Sequence, residues 1–333
     1  MALETFSDGS VVDRTAASTW TAPDLSGSGV ATIGSNTGLA TGVAKGTSTI
    51  TATYTVGSST KIATAILTVN NAPNLGTAAR YGTFGGTAGM TNTGNLTVIT
   101  GSDGNTADIG TTATGNSAIT GFHEREGGAT SLVDDSYTDT LGANSGKVTG
   151  RIYTCAVSST GPTVATVNAT SCAMATLARL NAETAYKALA AMPSNGVLAG
   201  NLAGTTITPG VYTNASTVLI QGGDLTLDAG GDANAVFVFQ IGSTLTVGGP
   251  GVAAPQSIIL AGGAQAKNVF WQVGTAATIN AGAGGTMVGT IIANSGVTFS
   301  TAGKTAITTL NGRALSLIAS VTMVNTVINV PAP

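Results

Sequence analysis

The chain has 333 residues, enough for two domains of ordinary size, each with a core of its own. Charged residues are 8% and the net charge is −3, against roughly 25% charged in an average soluble protein, which excludes a basic surface for nucleic acid or anionic lipid. Mean hydropathy is +0.32, yet no apolar run approaches the ~18 residues of a membrane span, so direct membrane insertion is excluded too.

Low charge with abundant Gly, Thr, Ala and Ser describes a β-rich, secreted or cell-surface protein with a neutral, hydroxylated surface. A disordered chain would carry more charge and fewer β-branched residues. Met1-Ala2 followed by acidic and polar residues is no signal peptide and reads as a trimmed start. Residues 1–71 alternate as short strands broken by turns: STWTA, GVATIG, TSTITATYTV and IATAILTVN. The run VATIGSNTGLATGVAKGTSTITATY resembles the bacterial immunoglobulin-like (group 2) domain, a small β-sandwich. A first strand is missing from that pattern, which implies a truncated domain or an edge completed by a preceding extracellular domain. Residues 72–74 form the linker, where Pro73 ends the strand and stiffens the junction.

Residues 75–333 differ in kind. After Pro209 they repeat at intervals near twenty residues, as NAVFVFQIGSTLTV, KNVFWQVGTAATIN, MVGTIIANSGVTFS and GRALSLIASVTMVN. A third strand closes each turn: DLTLDA, SIILAGG, TAITTL, TVINV. Three strands per turn with corner glycines predict an all-β-dominated, triangular, right-handed β-solenoid. Residues 121–173 interrupt the repeat and hold the sole histidine and both cysteines, so they read as an insertion capping one end of the stack. Residues 174–192 have helical Ala/Leu spacing, end at Pro193, and are expected to lie along the solenoid over one face. Cys155 and Cys172 are either free thiols or a disulfide. The secreted composition favours the bridge, which would contribute about 3 kcal/mol by closing its loop.

Strand alternation assigns the faces. In the first strand of each turn Phe239, Trp271, Ile291 and Leu315 are expected inward. Their outward neighbours Val236, Val238, Phe270, Ile292 and Ile318 are also apolar, so this face needs the helix as cover. In the second strand Leu245, Ala277, Val297 and Val321 point in. Outward stand Thr244 and Thr246, Ala276 and Thr278, Gly296 and Thr298, and Ser320 and Thr322. In the earlier turns Gly89 and Thr91 flank Met90, and Ala118 and Thr120 flank Ile119. No charged residue occupies these outward positions, although exposed strand faces normally carry charge.

At this point the strings LGTAARYGTF, SAITGF, TPGVYT, LTLDAGGDANAVFVFQIGSTLT, GAQAKNVFWQVG and TLNGRALSLIASVTM carry a resemblance. In their order they resemble the microbial β-solenoid ice-binding (antifreeze) proteins over nearly all of 75–333. The resemblance implies a right-handed solenoid flanked by one long helix, with a flat face beside the helix-covered one that binds ice through a Thr-Ala/Gly-X-Thr motif. Here that motif is Thr275-Ala276-Ala277-Thr278, Ser295-Gly296-Val297-Thr298 and Ser117-Ala118-Ile119-Thr120. It is weaker at Ser243-Thr244-Leu245-Thr246 and Ala319-Ser320-Val321-Thr322, and poorest at Ser216-Thr217-Val218-Leu219. The implied partner is an ice crystal surface, the implied effects are thermal hysteresis and inhibition of ice recrystallisation, and the implied state is a monomer. The resemblance also implies the Cys155–Cys172 bridge.

Other readings are weaker. A rival face could use Thr97, Thr226 and Thr308, but Asp224 and Asp228 interrupt it. His123 with Glu124, Arg125 and Glu126 reads as a solvated cap loop, because a zinc site needs three or four spaced ligands. Asp103-Gly104-Asn105, Asp228 and Asp232 lack the repeated calcium-loop pattern, and the glycine pairs at 230–231 and 262–263 are corners with no phosphate-binding lysine following. No cofactor or metal is expected. The threonine ladder carries no clustered carboxylates, which argues against a solenoid enzyme acting on polysaccharide. An extracellular adhesin binding glycans or cell surfaces is the remaining alternative.

Overall fold

The structure is a computed structural model describing residues 2–22, 30–42, 46–69, 72–102, 106–115, 118–123, 145–157, 167–249, 254–280, 284–300 and 306–332. The chain divides into two compact units, Met1–Ala72 and Pro73–Pro333. In the first, Thr19–Thr21, Gly46–Val56 and Ser59–Val69 pair antiparallel, the long pair turning at Gly57 with φ +58°. Alternation along Gly46–Val56 turns Ser48, Ile50 and Ala52 inward, where Ile50 and Ala52 pack with Trp20. Ala31–Ile33 pairs with Ala40–Gly42, and a hairpin not anticipated from the sequence joins Leu3–Thr5 to Val11–Asp13.

The second unit is built of parallel sheets stacked turn upon turn, a β-solenoid. From Gly196 onward the chain climbs in sequence through Gly210–Asn214, Phe237–Ile241, Val269–Val273, Gly285–Ala293 and Thr308–Ser316. The stack does not end there. Tyr81–Gly85 pairs with Thr308–Ser316, then Asp108–Thr111 with Tyr81–Gly85, then Ile152–Thr154 with Asp108–Thr111. The N-terminal turns of the unit therefore sit on its C-terminal turns. Of the expected cap, 121–173, the described strands Phe122–His123, Gly146–Val148 and Ile152–Thr154 are rungs at this far end. His123 thus lies in a strand paired with Lys147, not in a solvated loop, because the neighbouring turn offers it a ladder. Glu124, Arg125 and Glu126 lie outside the described residues.

The α-helix Ala169–Ala190 carries the chain back along the stack. It begins five residues earlier than the Ala/Leu spacing predicts, because the Asn168 side chain accepts a hydrogen bond from the Ser171 amide and caps the first turn. Ser171 meets Thr154 at the far end, and the Leu189 carbonyl meets Gln240 near the start. The helix rise between those residues is about 27 Å. The six rung steps from Ile152–Thr154 to Phe237–Ile241 span about 29 Å. Helix length is matched to stack height.

Two cores result. Inside the solenoid Phe239 stacks on Trp271 at 4.0 Å, with Ile291 next in register. Under the helix Ala175, Ala178, Ala182, Ala185 and Leu189 pack on Val238, Phe270, Ile292 and Leu315. Leu315 is a correction. It pairs with Ile292 and faces the helix, while Ala314 takes the inward place beside Ile291. Val236 is half-buried beside the helix core, and Ile318 is 51% exposed at a bend outside it.

Candidate functional site

A second parallel sheet of seven strands lies in the order Ile119–Thr120, Met90–Asn92, Val321–Met323, Val297–Ser300, Ala277–Asn280, Leu245–Val247, Val218–Ile220. The inward residues Ile119, Met90, Val321, Val297, Ala277, Leu245 and Val218 are buried, which fixes the register of each rung. One residue later Thr120, Thr91, Thr322, Thr298, Thr278 and Thr246 stand opposite one another rung by rung. All six are partly exposed. Leu219 occupies the seventh place, opposite Thr246.

The ladder is continuous. The amides of Val218, Leu245, Ala277, Val297, Val321 and Met90 donate to the carbonyls of Thr244, Ala276, Gly296, Ser320, Gly89 and Ala118. A second ladder runs from Ala319 through Ser295, Thr275 and Ser243 to Ser216. Rungs so joined repeat at about 4.8 Å, and outward positions along a strand at about 6.7 Å. The seven strands contain no ionisable side chain. What these strands offer is a grid of hydroxyls and methyls.

The column before the threonines divides. Thr217, Thr244, Ala276, Gly296 and Ser320 are partly exposed, as are Ser295 and, more fully, Thr275. Gly89 and Ala118, expected on the surface, are buried: Ala118 packs with Ala113 and Ala156, and Gly89 lies against the Ala118 carbonyl. Ser117 lies outside the described residues. A Cβ at Gly296 would come within 2.9 Å of the Ser320 carbonyl, so close rung packing favours glycine there.

The rival face does not assemble as expected, since Thr97 and Thr308 are fully buried and only Thr226 reaches the surface. Asp228 and Asp232 are engaged by the amides of Gly230 and Asn234 in corner turns; residues 103–105 lie outside the described residues. Cys155 and Cys172 are joined in a disulfide that fastens the first turn of the helix to the end of Ile152–Thr154. Sequence reading missed the junction of the two chain segments, where Thr91 is placed directly beside Thr322. No local signal marks a contact so distant along the chain.

The family model described as Ice-binding-like matches residues 84–329. An ice-binding protein of Nostoc sp. (strain HG1) is 40% identical over 190 residues, covering 56% of this chain and 62% of the relative. Ice-binding protein 1 of Shewanella frigidimarina (strain NCIMB 400) is 33% identical over 300 residues, 86% of this chain but 29% of the relative. The chain thus spans less than two thirds of the length of either. Among solved structures, an ice-binding protein from an Antarctic biological consortium aligns at TM-score 0.58 and 31% identity, covering 79% of this chain and 93% of its own. An antifreeze-active ice-binding protein from an Arctic yeast aligns at 0.59 and 27%, covering 79% and 95%. The adhesin alternative finds no support in these matches.

Proposed function

Because the chain belongs to the Ice-binding-like family, we propose that it adsorbs to ice through the threonine column of the seven-strand sheet, giving thermal hysteresis and inhibiting ice recrystallisation. The observation that carries this reading is the column of six threonines in unbroken register. Threonine suits the task because its β-branch restricts χ1, so hydroxyls repeat in register at little entropic cost. Methyl groups limit the reorientation of the water between them and hydroxyls anchor it. Water ordered over many rungs merges with an ice plane, and ice between adsorbed molecules must then bulge outward to grow. A charged side chain would organise its own hydration shell instead, which accounts for a face without charge.

The same reading takes the solenoid as triangular and right-handed, with the threonine face beside the helix-covered one. It takes the first unit as a bacterial immunoglobulin-like sandwich, and the protein as an extracellular monomer without catalytic activity. Among the described residues no helix is long and apolar enough to cross a membrane.

The test is Thr278→Tyr, inside the column between Thr298 and Thr246. The variant is expected to keep its circular dichroism and melting temperature and to lose most of its thermal hysteresis. Full hysteresis in that folded variant would remove this face from consideration.

A further inference from the structure

We infer that Leu219 sets one edge of the ice-contacting surface, and that the rung carrying it, Ser216–Gln221, is a boundary and not a part of the footprint. The inference rests on the threonine face being the ice-binding one. Three outward positions of this rung bear on it. Thr217 is hydrogen-bonded hydroxyl to hydroxyl with Thr244 at 2.8 Å, so each spends part of its capacity on the other and not on water. Leu219 stands where the six preceding rungs present threonine, and it offers no hydroxyl. Gln221 donates through Nε2 to the Gly248 carbonyl at 2.7 Å, which ties its amide to the neighbouring rung.

Beyond Leu219 the surface changes again. Asn201 bridges to Leu219 in the next partial rung, and its side chain is occupied by the backbone of Gln221 and Ala203. Outward groups on the last full rung are thus either apolar or bonded to the protein itself. Water over this rung has no hydroxyl column to follow, and the ordered layer ends between Thr246 and Leu219. At the opposite end Ala118 is covered by Ala113 and Ala156, which narrows the face there. The footprint is bounded at both ends by side chains the fold already uses.

The backbone under Leu219 is already in register with Thr246, so a threonine at 219 would extend the column to seven without moving a strand. Leu219→Thr is therefore expected to raise thermal hysteresis at equal molar concentration, by about 1.2-fold if rungs contribute equally. Leu219→Val has the shape of threonine without the hydroxyl and is expected to stay at the wild-type level. Both are made in the full chain and checked for an unchanged melting temperature, with Thr278→Tyr measured alongside. Wild-type hysteresis in folded Leu219→Thr overturns the boundary, as do equal gains from both variants, since shape alone would then set the edge. If Thr278→Tyr keeps its activity, the underlying face is wrong, and that failure is read separately from the other two.

Discussion

Arg313 is buried, with 3% of its surface exposed, and among the described residues no carboxylate lies within ion-pair distance. Its Nε donates to the Ala79 carbonyl and one terminal nitrogen to the Pro331 carbonyl, both at 2.8 Å, so it ties the start of the solenoid unit to its end. Burial lowers its pKa from 12.5 to about 10, a bias against the charged form of about 3 kcal/mol. Replacing it by methionine removes that bias but orphans two carbonyls, at about 1–3 kcal/mol each. The net effect is then small, between a stabilisation of about 1 kcal/mol and a destabilisation of about 3 kcal/mol. Lysine keeps a buried charge but gathers its donors on one nitrogen, whereas Arg313 reaches the two carbonyls through separate nitrogens of a rigid fork. Arg313→Lys should therefore be less stable than Arg313→Met, by about 1–3 kcal/mol, which corresponds to a melting temperature lower by roughly 2–10 °C. Urea and thermal unfolding of the two variants against wild type read this directly. If lysine is at least as well tolerated as methionine, the charge is not what makes the site costly and the reasoning fails.

Asp108 supplies a pH dependence. Burial, the largest influence, raises its carboxyl above the ordinary value, outweighing the Arg151 amide at 2.9 Å and the Arg80 guanidinium at 3.0 Å. The folded chain then holds this proton more tightly than the unfolded one, so the group's contribution is present at acid pH and declines as pH rises through the raised value. The stability of wild type minus that of Asp108→Asn should fall across that window; a difference that climbs with pH would show the Arg80 pair prevailing. Gly89 has φ +93° and no room for a Cβ against the Ala118 carbonyl. Gly89→Ala should cost about 1–3 kcal/mol in backbone strain, separate the Thr91 and Thr120 rungs, and lower hysteresis; an unchanged melting temperature would contradict this.

What the sequence disclosed follows from local chemistry. Alternation with a small residue two places before each threonine marks Thr246, Thr278, Thr298 and Thr322, and the same spacing finds Thr91 and Thr120. All six share one column. Leu315 reads as an inward residue, but Thr308–Ser316 is a single nine-residue strand whose pairing places Ala314, not Leu315, beside Ile291; apolar residues at both positions hide the difference. Thr97 and Thr308 read as surface residues, yet Thr97 is buried and bonded to Asn92, in a polar cluster inside the solenoid that composition cannot foretell. The helix start was obscured because Ala169-Thr170-Ser171 lacks the Ala/Leu spacing, and only the Asn168 cap reveals it. Pairing of Tyr81–Gly85 with Thr308–Ser316 joins segments more than two hundred residues apart and leaves no periodic trace.

That long-range pairing explains how a neutral face can be large. A stack growing only from Gly196 to Val330 would end its threonine column at Thr322 and leave an open strand edge above it. Placing Met90–Asn92 and then Ile119–Thr120 on that edge satisfies its backbone and adds two more threonines in register. The helix must then return the chain to the bottom of the stack, and its length follows from the number of rungs it passes. Charge needed for solubility is moved to the surfaces this route creates. Arg179, Glu183 and Lys187 pair along the helix, and Asp224, Asp228 and Asp232 hold amides at the ends of Leu225–Asp228 and in the corner that follows it. A helix-flanked stack with its ends sewn together can thus leave one broad sheet free of charge, which a simple helical climb of the same chain could do only with fewer rungs.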